Sequence, residues 1–415
     1  MQFDVSDEPD LDEITKNIQI ADKNIYIEDK KKAIELISTI INDNVKQDDS
    51  KLLKLKKHID DLFQLMNDCD IPDTFELQRK FEVLIDRLIE WGIASVLKGK
   101  RVVSMGGRFS SGKSCFINSV IGIGDMLPAE QNPTTAIPTY VVHSDIDSIE
   151  VNTKFGYAVQ LDKESLEALS HKFYKKYSIG FSSVIENIII KTKKFQIDSH
   201  IVFLDTPGYS KADDDNSVHG NSSDKQKAYE KLAITDYLIW LVDIQKGTIT
   251  IEDLNFIRNL HLSSKVLFVF TRADKRPDEE IKKVLVEAKT TIEESGIDYY
   301  AITAFSSHNN KEYFGDYIQS FLKDVVKNKT GENDITEQIN LLANDIRKKI
   351  VKEKYNSNKR KTNYYEVLSN TRNITSIKSV ALLWKHENIR IMQIEKAYDL
   401  LKDIVKELQQ VIEKH

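Results

Sequence analysis

The sequence contains few of the residues that mark secreted, membrane-spanning or loop-rich proteins. Its 415 residues include two cysteines, Cys69 and Cys115, which lie too far apart to suggest a disulfide framework and fit a reducing compartment. Seven prolines and 15 glycines favour long helices. No uninterrupted apolar run approaches the roughly 20 residues of a membrane span. The first residues are acidic and lack the apolar core of a secretory signal, so we expect a cytoplasmic protein.

Charge is distributed unevenly along the chain. Residues 1–98 contain 14 Lys and Arg against 22 Asp and Glu, a net charge of −8, whereas residues 326–415 contain 18 against 12, a net charge of +6. One interpretation is that both flanks are solvated helices that attract each other weakly. The alternative is that the basic flank also meets an anionic surface, which would make the protein peripheral to a membrane. We expect no nucleic-acid partner.

Hydrophobic periodicity divides the chain into three segments. The central segment, residues 99–325, alternates short apolar runs with helical stretches such as Glu280–Glu294, which predicts an α/β domain with a mostly parallel sheet. Its expected strands are Arg101–Met105, Val184–Thr192, His200–Leu204, Tyr237–Val242, Lys265–Thr271 and Tyr299–Thr303. Only a short polar connection separates the second and third of these runs, so we expect them to form an antiparallel hairpin.

The two flanks, residues 1–98 and 326–415, are expected to be helical. Apolar residues recur at three- and four-residue spacing in both, for example between Leu52 and Met66 and between Ile394 and Ile412. A helix with such an apolar seam along one face must pack that face against another apolar surface. The two flanks are expected to cover each other in an α-helical bundle beside the α/β domain, and a second copy of the chain is the alternative.

A glycine-rich loop follows the first strand. Residues 107–114 read GRFSSGKS and match the P-loop pattern G-x-x-x-x-G-K-[ST], between a strand-like run and the helix-like run Cys115–Ile121. The backbone N–H groups of such a loop surround a phosphate, with help from the dipole of the following helix. Lys113 is expected to reach the β- and γ-phosphates, and the Ser114 hydroxyl to bind Mg²⁺. The expected nucleotide contacts are Gly107, Phe109, Ser110, Ser111, Gly112, Lys113, Ser114 and Cys115.

Two further motifs follow in the order expected of a GTP site. The run DTPG, at 205–208, ends an apolar strand, so Asp205 is expected to hold Mg²⁺ through water and Gly208 to sense the γ-phosphate. The run TRAD, at 271–274, ends the next-but-one strand. A carboxylate at Asp274 would accept the N1–H and N2–H₂ donors of guanine, which adenine lacks. These motifs predict binding of GTP and GDP with Mg²⁺.

The sequence indicates the remaining contacts to the nucleotide and to Mg²⁺ less clearly. Thr271 and Arg272 are expected at the base, where Arg272 replaces the usual lysine and can still lay its apolar stem over the ring. The run TAFS, at 303–306, follows a strand and could offer backbone N–H groups to the guanine oxygen, which suggests Ala304 and Phe305. In the Pro- and Thr-rich run 127–139, Thr135 is the first choice and Thr134 the second for completing the Mg²⁺ shell.

Together these runs resemble the dynamin superfamily. GRFSSGKS, FINSVIG, LPAEQNPTTAIPT, LDTPG and TRAD follow one another over about residues 99–325, most like bacterial dynamin-like proteins and mitofusins, and helices flank the domain on both sides. The resemblance implies a GTPase that dimerises across its nucleotide face, hydrolyses GTP faster as a dimer, and remodels or tethers membranes. It also implies that Ser110 binds a monovalent cation that offsets charge in the transition state.

The sequence departs from the family in ways that bear on catalysis. Tyr209 stands where Ras-like enzymes carry a water-orienting glutamine, and Phe109 stands where dynamin has one. Arg108 is a candidate arginine finger in cis, or it pairs with an acidic neighbour. The C-terminal flank shows no apolar tip, and Lys359–Lys361 is either a basic loop touching anionic headgroups or a solvated turn.

Two other functions are compatible with the same motifs. The chain is either a dynamin-like enzyme acting on membranes, shortened or supplied with a stalk by a partner subunit, or a regulatory switch GTPase whose helices bind a protein partner. A scaffold with negligible turnover is a third, weaker interpretation. The polar run 210–226, which occupies the place of a switch region, is expected to be mobile without a partner.

Overall fold

The computed structural model describes residues 24–41, 50–93, 95–128, 137–154, 158–169, 173, 176–178, 180–208, 221–327 and 332–414. The chain divides into two compact units. The first comprises residues 1–46 and 101–328, and the second comprises residues 47–100 and 329–415. Each unit has its own core.

A mixed sheet forms the centre of the first unit, and the described residues contribute ten strands to it. The strands are β1 (Arg101–Gly107), β2 (Thr139–His143), β3 (Ser148–Thr153), β4 (Ala158–Leu161), β5 (Ile185–Thr192), β6 (Ile201–Asp205), β7 (Tyr237–Asp243), β8 (Val266–Thr271), β9 (Tyr299–Ser306) and β10 (Lys311–Tyr313). Their spatial order is β10-β9-β8-β7-β1-β6-β2-β5-β3-β4. The run from β9 to β6 is parallel throughout, which confirms the predicted mostly parallel sheet.

The expected hairpin between β5 and β6 is wrong. Strand β2 lies between them, paired in parallel with β5 and antiparallel with β6. The expected strands do not include β2, which is short and follows the Pro- and Thr-rich run directly. Residues 193–200 therefore connect two strands that run in opposite directions but are one strand apart.

Helices cover both faces of the sheet. Residues on one face form a cluster around Val103, Phe116 and Phe203, and those on the other form a cluster around Trp240, Phe268 and Phe270. The helices of this unit are α1 (Ile25–Glu28), α2 (Lys30–Ile41), α5 (Lys113–Ile121), α6 (Lys163–Ala168), α7 (Asn221–Ala233), α8 (Ile251–Leu260), α9 (Asp278–Ser295) and α10 (Tyr317–Lys327). Burial on both faces explains the near-continuous apolar strands of the parallel run.

The two N-terminal helices belong to the first unit, whereas the sequence placed all of residues 1–98 with the bundle. The apolar stripe of α2, Ala33, Leu36 and Ile40, is buried in the same cluster as the sheet residues. Tyr177 donates its hydroxyl hydrogen to the Ile27 carbonyl at 2.8 Å. An amphipathic stripe does not reveal which core will cover it, and here the sheet domain covers this one.

The described residues of the second unit form four α-helices. They are α3 (Ser50–Asp68), α4 (Thr74–Ile93), α11 (Glu332–Asn370) and α12 (Ile374–Lys414). Helix α12 packs on α3 and on α11, and α4 packs on α11. The predicted seam is buried at Ile394, Ala397, Leu401, Ile404 and Leu408, each at most 3% exposed. The N-terminal and C-terminal helices therefore do form a bundle.

A charged network lies inside this bundle. Arg360 Nε donates to Glu387 Oε1 at 2.7 Å, and Arg360 Nη2 donates to Glu353 Oε1 at 2.8 Å. Arg390 also contacts Glu353, at 3.1 Å, and its second guanidinium nitrogen donates to Asp70 in the turn that joins α3 to α4. The run Lys359–Lys361 is thus part of helix α11, and neither a loop nor a turn.

Helices α11 and α12 continue past this network as a two-helix hairpin, residues 358–386, which we call the distal hairpin. None of its residues is buried. It exposes large apolar side chains, contrary to the expectation of no apolar tip: Tyr365, Val367, Ile374, Leu382 and Leu383 are 47–70% exposed. It contains six Lys and Arg, one of which is the paired Arg360, and a single acidic residue, Glu366. Across the described ranges, no helix is long and apolar enough to cross a membrane.

Candidate nucleotide-binding site

The functional residues meet at the carboxyl ends of the parallel strands. Strand register places Met105 of β1 beside Asp205 of β6, and Asp243 of β7 beside Thr271 of β8. Loops that leave neighbouring parallel strands at the same edge form a crevice, which is the usual ligand site of such sheets. All three sequence motifs open into this edge.

The loop between β1 and α5 has the backbone shape of a phosphate cradle. Gly107 has φ of 139° and lies so close to β7 that an added Cβ would sit 2.4 Å from the Leu241 carbonyl oxygen. Gly112 has φ of 84° at the start of α5, and Ser110 adopts the left-handed region at φ of 60°. A non-glycine residue in that region costs free energy and is typical of functional loops.

Lys113 is buried beneath this loop. Its ammonium donates to the carbonyl oxygens of Gly107 at 3.3 Å and Arg108 at 3.2 Å. Burial lowers the pKa of Lys113 to about 8, and the negative charge of Asp205 opposes that shift. Among the described residues the ammonium bonds only carbonyl oxygens, and a buried cation of this kind is suited to binding an anion.

Asp205 and Ser114 form an oxygen pair beside Lys113. The Ser114 hydroxyl donates to Asp205 Oδ2 at 2.6 Å. Asp205 is fully buried, and its other oxygen, Oδ1, has no hydrogen-bond partner among the residues that the structure describes. Burial raises the pKa of Asp205, while Lys113 and Ser114 oppose the rise. A hydroxyl and a partly unpaired carboxylate are the hard oxygen donors that Mg²⁺ prefers, so these residues fit the ion.

Gly208 touches the P-loop directly. A Cβ at Gly208 would lie 2.7 Å from Phe109 Cα and 2.8 Å from Phe109 N, both backbone atoms that cannot easily move. The end of the DTPG run is therefore within van der Waals contact of the phosphate loop. Only glycine fits this approach, which links the two motifs physically.

The Arg108 side chain is bonded to the start of helix α8. Its Nη2 donates to the Thr250 hydroxyl at 2.6 Å and to Glu252 at 2.9 Å, and its Nε donates to Asp253 at 3.1 Å. Thr250 and Asp253 also form the capping box that starts α8. These contacts agree with pairing to acidic neighbours, the alternative to an arginine finger.

A cavity of about 480 Å³ opens beside the start of α5. Its lining includes the expected residues Gly112, Cys115, Thr271, Arg272 and Asp274. The Ser306 hydroxyl donates to Asp274 Oδ1 at 2.6 Å, and Lys275 lies 3.3 Å from Asp274 Oδ2. Burial acts to raise the pKa of Asp274, but the contacts from Ser306 and Lys275 outweigh it and lower that pKa. Asp274 is therefore an ionised acceptor facing the cavity.

The end of β8 is tied to the P-loop. Thr271 Oγ1 donates to the Ser111 carbonyl at 2.8 Å. Arg272 follows with φ of 58°, and its Nη1 donates to Asp243 Oδ2 at 2.8 Å. These bonds join the phosphate and base halves of the site.

The run TAFS, at 303–306, forms the end of strand β9 and does not follow it. Ala304 and Phe305 are buried, and Phe305 packs edge-on against Phe116 with 5.2 Å between ring centroids. The cavity is lined at this place by Ser307 and His308.

Sequence reasoning missed some residues of the site. Ser306 was given no side-chain role, and Asp243 was overlooked. Asp243 ends an apolar strand just as Asp205 does. A carboxylate at the end of an apolar strand is therefore a sequence signal that could have identified both residues. By contrast, no sequence pattern predicted that Ser119 and Asp125 would line the cavity.

Some predicted residues lie outside the described ranges. These are Thr134, Thr135 and Tyr209. The run 210–226 is described from Asn221, where helix α7 begins.

The sequence matches the model of the dynamin family over residues 103–273. That range begins in β1 and ends at Ala273, so it includes the P-loop, DTPG and all but the last residue of TRAD. No curated protein matches the sequence.

Solved structures of GTP-binding proteins are also similar. One chain of an oligomerised bacterial dynamin pair, said to provide a mechanism for long-range sensing and tethering of membranes, is 17% identical, with a TM-score of 0.45; 86% of the present chain and 52% of that chain are covered. A point variant of Era from Aquifex aeolicus bound to GDP and AlF₄⁻ is 18% identical, with a TM-score of 0.32 and coverage of 55% and 56%. The present chain thus spans about half the length of these proteins.

Proposed function

We propose that this chain, which matches the dynamin family over residues 103–273, is a GTPase of that superfamily: it binds GTP with Mg²⁺, hydrolyses it faster after dimerising across the nucleotide face, and acts in membrane remodelling or tethering. The main support for the nucleotide assignment is one geometry. Asp274 is ionised, is oriented by Ser306, and lines the same cavity as Gly112 and Cys115 at the P-loop helix.

The phosphate half of the site assigns a role to each side chain. Lys113 neutralises the β- and γ-phosphates, which replace the carbonyl contacts it makes otherwise. Ser114 and Asp205 hold Mg²⁺, which screens the phosphate charge when bound. Thr135 remains the proposed third oxygen donor to the metal.

Dimerisation would supply catalytic groups beside the γ-phosphate that the described P-loop residues do not provide. Phe109 cannot orient water, and Arg108 is held by Thr250, Glu252 and Asp253. Release of Arg108 from α8 would be needed before it could reach a phosphate. We therefore favour Ser110 with a monovalent cation as the source of positive charge in the dimer.

The membrane part of the proposal is supported by the distal hairpin. Exposed apolar side chains on a segment with six basic residues and one acidic residue are the composition of an anionic-membrane contact. Each basic residue near an anionic bilayer contributes about 1 kcal/mol, and apolar side chains add their burial.

The test is GTP hydrolysis measured against protein concentration, with and without anionic liposomes. We expect a rate per molecule well above the roughly 10⁻⁴ s⁻¹ of an unassisted Ras-like site, rising with concentration and with lipid. A flat rate near that floor would instead indicate a switch that awaits a separate activating partner.

Two variants separate the lipid effect from the chemistry. Leu382→Asp with Leu383→Asp should abolish the response to liposomes and leave hydrolysis in solution unchanged. Leu341→Asp is the matched control, because Leu341 is 62% exposed on α11 outside the distal hairpin. If the control loses the response equally, the distal hairpin is not the lipid contact.

Base selection has its own test. Asp274→Asn replaces one acceptor oxygen with an amide, which cannot accept both guanine donors, so preference should move from GDP towards XDP. An unchanged preference in competition binding would contradict the assignment of Asp274.

A further inference from the structure

Asp243 and Arg272 form an ion pair at the base cavity that the nucleotide motifs do not explain. Arg272 Nη1 donates to Asp243 Oδ2 at 2.8 Å, and the Asp243 side chain is 3% exposed while that of Arg272 is 40% exposed. Arg272 lines the cavity, whereas Asp243 lies behind it. The acidic partner is therefore buried, and the basic partner faces the ligand space.

The carboxylate is a fixed anchor. Asp243 is the last residue of β7, in register with Thr271 of β8. Its other oxygen, Oδ1, accepts from the Gln245 backbone N–H at 3.0 Å. Both oxygens are thus engaged as acceptors, and the strand holds their position.

Arg272 is constrained at both ends of its side chain. Its backbone lies in the left-handed region with φ of 58°, directly after Thr271, whose hydroxyl bonds the P-loop carbonyl of Ser111. Its guanidinium is bonded to Asp243. The stem between these two points has little freedom, so a wall of the cavity is preformed.

An arginine suits this arrangement better than a lysine. The planar guanidinium donates along fixed directions, so one N–H group can bond Asp243 while the methylene stem stays along the cavity. A lysine ammonium is a point charge on a flexible stem and would not fix the stem in the same way.

We propose that Asp243 is a positioning residue for guanine recognition, acting through Arg272. It holds the Arg272 stem in place as a wall of the base cavity and so lowers the ordering cost of binding a guanine nucleotide. The inference rests on the proposed function of this cavity and extends it to a residue that does not touch the ligand.

The principal test is Asp243→Asn. An amide has one acceptor oxygen, so either the bond to Arg272 or the bond to Gln245 must be lost. Weakening a charge-assisted bond of this kind should raise KM for GTP and Kd for a fluorescent GDP analogue by about tenfold. Because neither residue meets the reacting phosphate, kcat at saturating GTP should stay unchanged; a fall in kcat without a rise in KM would overturn the inference.

Arg272 gives a second route that keeps the buried carboxylate. Arg272→Lys retains the positive charge but removes the planar guanidinium and its fixed N–H directions. This variant should also raise KM for GTP without changing kcat. In a double-mutant cycle, the double variant Asp243→Asn with Arg272→Met should raise KM for GTP no more than Arg272→Met alone does. The reason is that both substitutions act through one bond. Additive losses would overturn the inference.

Glu280→Gln is the matched control. It breaks the ion pair between Arg276 and Glu280, which follow Arg272 in the sequence, and it should change neither KM nor kcat. A wild-type protein that bound no GDP would overturn the proposed function and the inference with it. A wild-type protein that binds GDP while Asp243→Asn and Arg272→Lys match its KM would overturn the inference alone.

Discussion

The two units treat buried charge in opposite ways. At the sheet edge, the Lys113 ammonium donates to two carbonyl oxygens, and one oxygen of Asp205 has no hydrogen bond from the described residues. In the helical unit, Arg360 bonds both Glu353 and Glu387 at 2.7–2.8 Å. One region leaves charged groups partly unpaired, and the other pairs them with each other.

The difference separates a binding site from a structural network. Incomplete pairing of buried groups costs stability, and a fold retains it where a ligand completes the pairing. A network whose charges satisfy each other stabilises one packing of the helices and needs no ligand. Changes at the sheet edge should therefore alter binding, and changes in the network should alter stability.

Lys113→Ala should have the largest effect. Removing the ammonium deprives the phosphates of their main buried cation, so GDP affinity should fall roughly a thousandfold, about 4 kcal/mol. Isothermal titration calorimetry measures it, with Lys289→Ala as the control because Lys289 is exposed on α9. Retained affinity would remove Lys113 from the site.

Stability should rise with pH between about 8 and 10.5 in the nucleotide-free protein. The folded state loses the Lys113 proton near pH 8, and the unfolded chain keeps it until about pH 10.5. The unfolded state thus binds more protons in this window, and the free energy of unfolding increases by up to about 3 kcal/mol. Urea unfolding of wild type and Lys113→Met isolates the contribution, because other groups cancel in the difference. A difference that does not vary with pH would contradict the buried ammonium.

Arg360→Ala should destabilise the helical unit by about 2 kcal/mol, because Glu387 loses its cation while remaining mostly buried. Hydrogen exchange of amides in α11 and α12 localises the change, and nucleotide affinity should stay constant. Lys354→Ala, which breaks an exposed pair with Glu395 on the same helices, is the control and should cost no more than about 0.5 kcal/mol. Equal effects would mean that the network is no stronger than a surface pair.

Ser306→Ala should produce the smallest change, a loss of about tenfold in GDP affinity, because Asp274 loses the donor that orients it. Affinity for inorganic triphosphate, which has no base, should be unaffected. Ser320→Ala serves as the control, since its hydroxyl donates to the Asp316 carbonyl just before the start of α10. A parallel loss of triphosphate affinity would show that Ser306 supports the loop in general rather than the base contact.

Long-range pairings explain where sequence reasoning failed. Strand β2 inserts between β5 and β6, and α2 packs on the sheet domain, because cores are shared by segments distant in sequence. The distal hairpin was missed for a related reason. Its apolar residues fit a helical pattern, and only the end of the bundle at the Arg360 network shows that nothing buries them in the described unit.

Three short runs of sequence carry the chemistry predicted for the site. GRFSSGKS, DTPG and TRAD act largely through short backbone segments, whose shape depends on a few local residues and on a strand before them. The side chains that support this chemistry come together only in the folded sheet. Asp243 and Arg272 are 29 residues apart in the sequence, and Asp274 and Ser306 are 32 residues apart. Local sequence specifies backbone geometry, but side-chain partners come from strand order, which is settled when the whole sheet packs.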